Sequence, residues 1–394
     1  DSGHAYYCFC SPEKLEADRA AAVAAGRHVG YSGTCRSLTR EDAAARHAAG
    51  ERPAIRFRVP PQREVEFADA VRGTVRFSTD VIGDPIIVRA DGTPAYNFAV
   101  VVDDALMGIT QVVRGEDHIS NTPRQILLYE ALGYAPPAFA HLALVMGPDH
   151  TPLSKRHGAT SVGEFRAKGY LPEALVNYLA LIGWSPGHDE ELLPVAELAR
   201  RFSLEHVGLS AGVFDEEKLA WVNRQYLKAA DPVRLAELSV SFFVAAGAAM
   251  APTPEGLAYL ASVLPIATSS VDRLDQVPAR LSMVFSYSAV EALRDPAIAS
   301  EMSDEAAGRV VRVLAVELAG APRLDRERFR AVAAAVKAQT GQKGRALFHP
   351  MRIALTGRAE GPELDLVVPA IDRGADLAGT GLPAITGCRE RAAA

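Results

Sequence analysis

The segment Pro152-Leu153-Ser154-Lys155-Arg156-His157-Gly158 lies shortly after an apolar run at Leu142–Met146. The run predicts a buried strand, and the two cations, the hydroxyl and the glycine behind it suit a nucleotide phosphate at the carboxyl edge of a parallel sheet. Ile86–Val88 and Val112-Val113 also predict strands, with helical patterns between them. Strands that alternate with helices indicate an α/β domain.

Three further motifs precede this segment. Tyr96–Asp104 reads YNFAVVVDD and lies in a helix predicted over 95–107. Val113–His118 reads VRGEDH, and Asn121–Gln125 reads NTPRQ and opens a helix that Gly133 closes. A Ser-Lys-Arg tripeptide alone is common on protein surfaces, so the interpretation depends on the order of all four motifs.

The regions on either side of these motifs have different predicted secondary structure. Residues 1–80 predict a small mixed module, with helices over 12–25, capped by Ser11, and from Thr39 to Gly50. Alternating apolar residues over 55–59 and 71–77 predict strands. Beyond about residue 172, helical periodicity and alanine-rich stretches predict three successive helical units, followed by a loose, glycine-rich tail after Gly374.

Composition excludes several classes of protein. Of the 394 residues, 48% are apolar and 23% are charged, which is ordinary for a globular protein and excludes a disordered or collagen-like chain. No apolar run is long enough to span a membrane, and the first residues do not resemble a secretory signal. Four cysteines are too few for a disulfide scaffold and fit a reducing cytoplasm.

Charge is unevenly distributed. The net charge is −6, yet Arg309–Arg358 contains eleven basic and three acidic residues, a local charge of +8. Such a segment can bind a polyanion even in an acidic protein, and it can equally be a solvated helical face.

Three cysteines have a spacing that is compatible with a metal. Cys8-x-Cys10 is followed by Cys35, and thiolates are the preferred ligands of structural Zn²⁺. The alternative is a set of three buried thiols without a metal. Cys388 stands alone in the tail.

The four motifs, in this order, resemble bacterial glutamyl-tRNA synthetase, a class I aminoacyl-tRNA synthetase. The resemblance runs from Tyr7–Cys10 to Arg352–Gly357 and is most specific over 94–184. It implies a cytoplasmic ligase that uses ATP with Mg²⁺ to join L-glutamate to tRNA-Glu through glutamyl-adenylate. No sequence feature indicates an oligomer, and we expect a monomer.

The resemblance also implies roles for individual residues in the segment 152–156, which is similar to the family's mobile Lys-Met-Ser-Lys-Ser loop. Lys155 would hold the ATP phosphates and stabilise the charge on departing pyrophosphate. Pro152 stands where the signature has its first lysine. The implied catalytic pair is Lys155 and Ser154, and the implied ATP contacts are Leu153, Lys155 and Arg156.

Two other residues resemble the glutamate pocket of the family. Arg114 would bind the side-chain carboxylate of glutamate, because a guanidinium can engage both carboxylate oxygens and so select glutamate over glutamine. The alternative role for Arg114 is a structural ion pair with Glu116 or Asp117. Tyr96 resembles a pocket tyrosine, while Val100 replaces an asparagine found in some members.

The resemblance extends to the cysteines. Related enzymes hold zinc here through three Cys or His ligands plus a Tyr or His. The implied ligand set in this chain is Cys8, Cys10, Tyr31 and Cys35.

The expected fold class is a partial Rossmann-type class I catalytic domain with an inserted acceptor-stem module, followed by an all-helical half. That helical half is unlike the β-barrel anticodon domains of glutaminyl enzymes. The implied domains are 1–80, the acceptor-stem insertion; 81–171, the second catalytic half; 172–230, the stem-contact unit; and 231–300 and 301–394, two anticodon-binding subdomains.

One family motif is missing from the sequence. No His-x-Gly-His occurs in the 394 residues, so we expect a chain that lacks the first Rossmann half and is inactive alone. Two alternatives stay open at this point: a tRNA-binding module without catalysis, and a synthetase that also charges tRNA-Gln.

Overall fold

The computed structural model describes residues 2–26, 30–187 and 190–394. The chain divides into two compact units, and each unit is built from two segments. Unit 1 comprises Asp1–Leu153 and Ala180–Phe214, and unit 2 comprises Ser154–Leu179 and Asp215–Ala394.

The strands of the described residues all lie in unit 1. They are β1 (Ala5–Cys8), β2 (Ala54–Phe57), β3 (Glu64–Asp69), β4 (Gly73–Ser78), β5 (Ile86–Val88), β6 (Gln111–Gly115), β7 (Ala138–Leu142), β8 (Val145–Met146) and β9 (Gly212–Val213). They form an antiparallel sheet in the order β1-β2-β5, a mixed sheet in the order β4-β3-β7-β6 and a parallel pair, β8-β9. Both larger sheets combine strands from the two sides of residue 80.

The mixed sheet places the motifs of the middle region. β6 and β7 are parallel, as predicted, and the antiparallel hairpin β3–β4 extends the sheet on the other side of β7. A parallel pair needs a crossover, and α4 (Thr122–Leu132) lies between β6 and β7 in the chain. The register sets Arg114 of β6 opposite His141 of β7.

The strand predicted over Leu142–Met146 is wrong in its bounds. β7 ends at Leu142, and β8 belongs to a separate pair with β9. Between the two strands, the backbone N–H of Leu144 donates to Oε1 of Glu116 at 3.3 Å. The apolar run therefore contains a break, because one of its backbone donors bonds a side chain instead of a neighbouring strand.

Local signals fix the helix starts in unit 1. The side chain of Ser11 accepts the N–H of Lys14 at the start of α1, and Thr39 accepts the N–H of Asp42 at the start of α2. Gly133 ends α4 at a φ of 74°, a left-handed conformation that favours glycine. The helices of unit 1 are α1 (Pro12–Ala24), α2 (Arg40–Ala48), α3 (Tyr96–Leu106), α4 and α7 (Val195–Arg201).

The regular elements of unit 2, among its described residues, are all helices. Its helices are α5 (Val162–Ala167), α6 (Pro172–Leu181, whose last two residues belong to unit 1), α8 (Glu216–Ala229), α9 (Pro232–Ala245), α10 (Pro254–Thr268), α11 (Val277–Arg280), α12 (Ser282–Phe285), α13 (Ala289–Ala292), α14 (Pro296–Met302), α15 (Glu305–Ala319), α16 (Arg326–Thr340), α17 (Arg345–Thr356), α18 (Leu364–Gly374) and α19 (Cys388–Ala393). Prolines begin several of them, because the first turn of a helix leaves backbone N–H groups unpaired and proline has none. Among the described residues, no helix combines the length and the apolarity that crossing a bilayer requires.

The tail is not the loose segment that its glycines predict. Its last helix, α19, buries Cys388 and Arg391 in unit 2. The Arg391 guanidinium donates to the backbone carbonyls of Met283, Val284 and Leu355 at 2.7–2.9 Å. It thereby satisfies carbonyl groups near the ends of α12 and α17, which would otherwise be buried without donors.

Candidate active site

Arg114 lies near the carboxyl end of β6, in the mixed sheet of unit 1. Its Nε lies 3.2 Å from Nε2 of His141, and its Nη2 donates to Oγ1 of Thr122 and Oε1 of Gln125, each at 2.8 Å. Across residues 2–26, 30–187 and 190–394, no protein acceptor bonds its Nη1. One edge of the guanidinium is therefore fixed by the protein, while Nη1 can bind a ligand.

Arg114 also has no ion pair among the residues that the structure describes. Of the two acids considered as partners, Glu116 pairs with Arg72 and Asp117 lies 3.6 Å from His118. Burial lowers the pKa of the Arg114 guanidinium, because desolvation disfavours its charged form. A half-buried cation without its own carboxylate suits a carboxylate brought by a ligand.

Tyr96 is the first residue of α3 and is 54% exposed. It lies close enough to Arg114 to influence the pKa of that side chain. The next residue, Asn97, accepts a hydrogen bond from Gln125 at 3.0 Å, and this bond ties α3 to α4. Val100, one turn later, is half-buried. Tyr96 and Arg114 both lie in unit 1, and the ring beside Tyr96 is that of His118, with 6.3 Å between the two centroids.

The segment 152–158 is a turn rather than a regular element. In unit 1, the N–H of Leu153 donates to the carbonyl of Val145 at 2.9 Å. In unit 2, Lys155–His157 form one 3₁₀ turn, and the N–H of Ser154 donates to Nδ1 of His157 at 3.1 Å. Lys155 and Ser154 are exposed. Arg156 contacts the His157 ring through its Nε at 3.1 Å.

The three predicted cysteine ligands lie together in unit 1. The Sγ atoms of Cys8, Cys10 and Cys35 are all within 4.8 Å of one another. The Tyr31 hydroxyl lies 3.5 Å from Sγ of Cys8 and 3.8 Å from Sγ of Cys10, and it accepts the N–H of Cys35 at 2.8 Å. Three sulfur atoms and the Tyr31 hydroxyl therefore form one cluster of potential ligand atoms.

The thiols of Cys8 and Cys10 have pKa values shifted in opposite directions. Burial acts to raise the pKa of Cys8, but hydrogen bonds with Tyr31 and with the backbone of Cys10 lower it to about 7. Burial and the neighbouring thiols raise the pKa of Cys10 to about 11. Thiolates in contact repel one another, so a full set of thiolates needs a cation among them.

Known protein families match most of this chain. Residues 1–221 match the family model described as tRNA synthetases class I (E and Q), catalytic domain, and residues 234–378 match an anticodon binding domain. A glutamate–tRNA ligase from Carboxydothermus hydrogenoformans is 44% identical over 93% of this chain and 76% of its own length. The chain belongs to the glutamate–tRNA ligase family.

Further glutamate–tRNA ligases support this assignment. The enzyme of Desulforamulus reducens is 44% identical over 96% of this chain and 78% of its own length. Among solved structures, a glutamate tRNA ligase from Elizabethkingia meningosepticum, in complex with its amino acid, has a TM-score of 0.78 at 26% identity. The structural match covers 93% of this chain and 76% of the Elizabethkingia chain. The resemblance stated from the motifs is thus confirmed.

The surroundings of Arg114 include residues that the sequence did not indicate as part of a site. His141 is buried beside Arg114, Asp69 is buried beside His141, and Thr122 and Gln125 bond the guanidinium directly. Thr122 and Gln125 fall within a quoted motif, where they were interpreted only as the start of a helix. A signal for His141 was available: it is a lone histidine inside an apolar stretch. No pattern in the sequence indicates Asp69.

Proposed function

We propose that Arg114 of this chain binds L-glutamate and that the whole gene product ligates it to tRNA-Glu in two steps, as a cytoplasmic monomer. In the first step, an α-carboxylate oxygen of glutamate attacks the α-phosphorus of ATP, bound as its Mg²⁺ complex, and pyrophosphate leaves. In the second step, a ribose hydroxyl of the terminal adenosine of the tRNA attacks the carbonyl of glutamyl-adenylate, and AMP leaves. The observation that carries this proposal is that Arg114 is a half-buried cation with no carboxylate partner among the described residues.

Arg114 can distinguish glutamate from glutamine by charge. The side-chain carboxylate of glutamate would approach Nη1, which no described protein group bonds, near Tyr96. A neutral amide offers Nη1 only one acceptor and no charge, so part of the desolvation cost of Arg114 stays uncompensated. A contact through both Nη atoms would require glutamate to compete with Thr122 or Gln125 for Nη2.

The segment 152–158 would bind the phosphate groups of ATP. Lys155 and Ser154 are exposed on a short turn whose backbone is bonded to His157. An ammonium on such a turn can follow the phosphoryl oxygens as negative charge develops on pyrophosphate. In this proposal Arg156 and Leu153 contact ATP on either side of that pair.

The test of the proposed function is aminoacylation by the whole gene product. Charging of tRNA-Glu should depend on glutamate and ATP and should release AMP and pyrophosphate. A parallel reaction with tRNA-Gln measures whether the enzyme discriminates between the two tRNAs. Binding of tRNA-Glu without any charging would overturn the proposal in favour of a tRNA-binding module.

The basic segment Arg309–Arg358 is partly neutralised within unit 2. Arg326 and Arg330 pair with Asp365, and Arg323 pairs with Asp376. Exposed Lys337 and Lys343 have no ion pair among the described residues, and they line a cleft of about 370 Å³ beside Phe348, which is 45% exposed. Cations beside an exposed ring suit an RNA backbone and an unstacked base, and we propose that this cleft contacts the tRNA.

The cleft leads to a prediction about salt. Binding of tRNA-Glu should weaken steeply as salt rises, because lysines that contact phosphates release counterions. In a Lys337→Ala, Lys343→Ala double variant, the plot of log K against log[salt] should become shallower, with its negative slope reduced in magnitude by roughly 1.5. An Arg326→Ala, Arg328→Ala variant is the control, since those guanidinium groups pair with Asp365 and Asp325. Equal slopes in wild type and the lysine variant would contradict a phosphate role.

We also propose that Cys8, Cys10, Cys35 and Tyr31 hold a structural Zn²⁺. Tetrahedral zinc with bonds of about 2.3 Å separates its sulfur ligands by roughly 3.8 Å. The Sγ atoms of Cys10 and Cys35 are 3.7 Å apart, which fits that spacing. When bound, the metal would supply the positive charge that three neighbouring thiolates need.

Metal analysis tests this site. Protein purified without chelator should contain about one zinc per chain, and Cys8→Ser or Cys35→Ser should abolish it, because each removes a thiolate ligand. Cys388→Ser should keep the zinc, because Cys388 lies in unit 2 and bonds the carbonyl of Val368. Wild-type protein without zinc would show that the cluster is three thiols without a metal.

A further inference from the structure

Asp69, His141 and Arg114 form a continuous chain of hydrogen bonds across three strands of the mixed sheet. Oδ2 of Asp69 lies 2.6 Å from Nδ1 of His141, and Nε2 of the same ring lies 3.2 Å from Nε of Arg114. The Asp69 and His141 side chains have no exposed surface. This chain leads from a fully buried carboxylate to the guanidinium that faces the proposed substrate.

We propose that Asp69 and His141 are positioning residues that fix the orientation of Arg114 and thereby set the selectivity for glutamate over glutamine. This inference rests on the proposed function, in which Arg114 binds the glutamate side chain. Neither residue would touch the substrate, because both side chains are fully buried and reach it only through the guanidinium of Arg114.

The bonding pattern requires one tautomer of His141. The Arg114 Nε–H can only donate, so Nε2 of His141 must present its lone pair. The proton of a neutral ring then lies on Nδ1, where Oδ2 of Asp69 accepts it. Thr122 is consistent with this arrangement, because its hydroxyl lies 3.1 Å from Nε2 and can donate to it.

The carboxylate is itself fixed by the backbone. Oδ1 of Asp69 accepts the N–H groups of Val71, Arg72 and His141 at 2.8–3.2 Å. Burial acts to raise the pKa of Asp69, but these N–H groups and the His141 ring hold it below its ordinary value. Oδ2 therefore stays an ionised acceptor that is directed at Nδ1.

The ring is also confined by its neighbours. Phe139 lies nearly parallel to the imidazole, with 17° between the planes and 6.2 Å between the centroids. Phe67 lies on the same chain of packed rings, 6.4 Å from His141. Because His141 has little freedom to turn, any change in its tautomer is passed to Arg114.

Asp69→Asn separates positioning from simple packing. The amide oxygen can keep the three backbone N–H groups on Oδ1, so the amide N–H₂ replaces Oδ2. That group donates to Nδ1 of His141, which moves the ring proton to Nε2, and two donors then face each other at Arg114. The shape of the core is preserved while the bonding that orients Arg114 is reversed.

We expect Asp69→Asn to raise the KM for glutamate about tenfold or more. The KM for ATP should change by less than about twofold, and selectivity over glutamine should fall with the loss of glutamate affinity. Asp84→Asn is the matched control: Asp84 is a buried carboxylate of the same unit that accepts from Tyr6 and Val59, and its loss should leave the glutamate KM unchanged.

Two measurements complete the test. In ¹⁵N-histidine-labelled wild type, His141 should be neutral with its proton on Nδ1; its signal is assigned by its loss in His141→Gln. This measurement needs no folded Asp69 variant. The Asp69→Asn, His141→Gln double variant should cost no more in glutamate KM than the larger single change, because both act on one bond to Arg114.

The outcomes distinguish the inference from the function beneath it. A wild-type His141 with its proton on Nε2, or an unchanged glutamate KM in Asp69→Asn while Arg114→Gln is impaired, would overturn the positioning role alone. An unchanged glutamate KM in Arg114→Gln would overturn the proposed glutamate site together with the positioning role.

Discussion

Arg114→Gln should raise the KM for glutamate by at least about 30-fold, because removing one partner of a buried, hydrogen-bonded charge pair costs about 2–5 kcal/mol. The KM for ATP should change little, since the amide still fills the site beside His141 and Thr122. The measurement is steady-state aminoacylation at varied glutamate, with glutamine as competitor. Glutamine should compete better in the variant, because the charge that disfavours it is gone.

Arg63→Gln is a suitable control for Arg114→Gln. Arg63 lies in the same unit and makes a two-point ion pair with Glu130, but both side chains are about 40% exposed. Exposed pairs of this kind contribute little, so its glutamate KM should match wild type. Equal KM values in all three proteins would show that Arg114 has only a structural role.

Lys155→Ala should lower the rate of glutamyl-adenylate formation about 10²- to 10³-fold, because it removes a cation aimed at charge that develops in the transition state. In contrast to Arg114→Gln, the effect should fall on kcat while the KM for glutamate stays near wild type. Single-turnover release of pyrophosphate measures the affected step directly.

Lys168→Ala is the matched control for Lys155→Ala. Lys168 lies in the same unit and pairs with Glu216 at 2.9 Å on the surface. Its removal should leave pyrophosphate release unchanged. A wild-type rate in Lys155→Ala would remove the turn at 154–157 from the mechanism.

The parts of the fold that depend on neighbouring residues could be predicted from sequence. Ser11, Thr39 and Gly133 end or begin helices through bonds to residues only a few positions away. Such signals are local, so they need no knowledge of the rest of the chain.

The proposed metal centre could be predicted as a set of residues for a related reason. Cys8 and Cys10 share one strand end, and Tyr31 and Cys35 lie only about 25 residues further on. The spacing therefore identified the cysteines, and the family resemblance supplied the tyrosine. The distances between their ligand atoms needed the structure.

The support of Arg114 could not be predicted, because it depends on pairing between distant strands. Asp69 and His141 are 72 positions apart, and β3 and β7 meet only when the mixed sheet forms. The burial of Arg391 was missed for a similar reason, since three of its four carbonyl acceptors lie 36 to 108 positions away. Long-range acceptors of single side chains leave no periodic pattern in a sequence.

The division of each unit into two segments has a consequence for synthesis on the ribosome. Unit 1 needs Ala180–Phe214 to be complete, and its pair β8-β9 joins Val145–Met146 to Gly212–Val213. At about 5–20 residues per second, the ribosome takes several seconds to deliver β9 after β8. During that interval the edge of β8 is unpaired and Ser154–Leu179 has emerged without the rest of unit 2. While these sixty or so residues are being made, β8 is therefore open to pairing with a wrong strand.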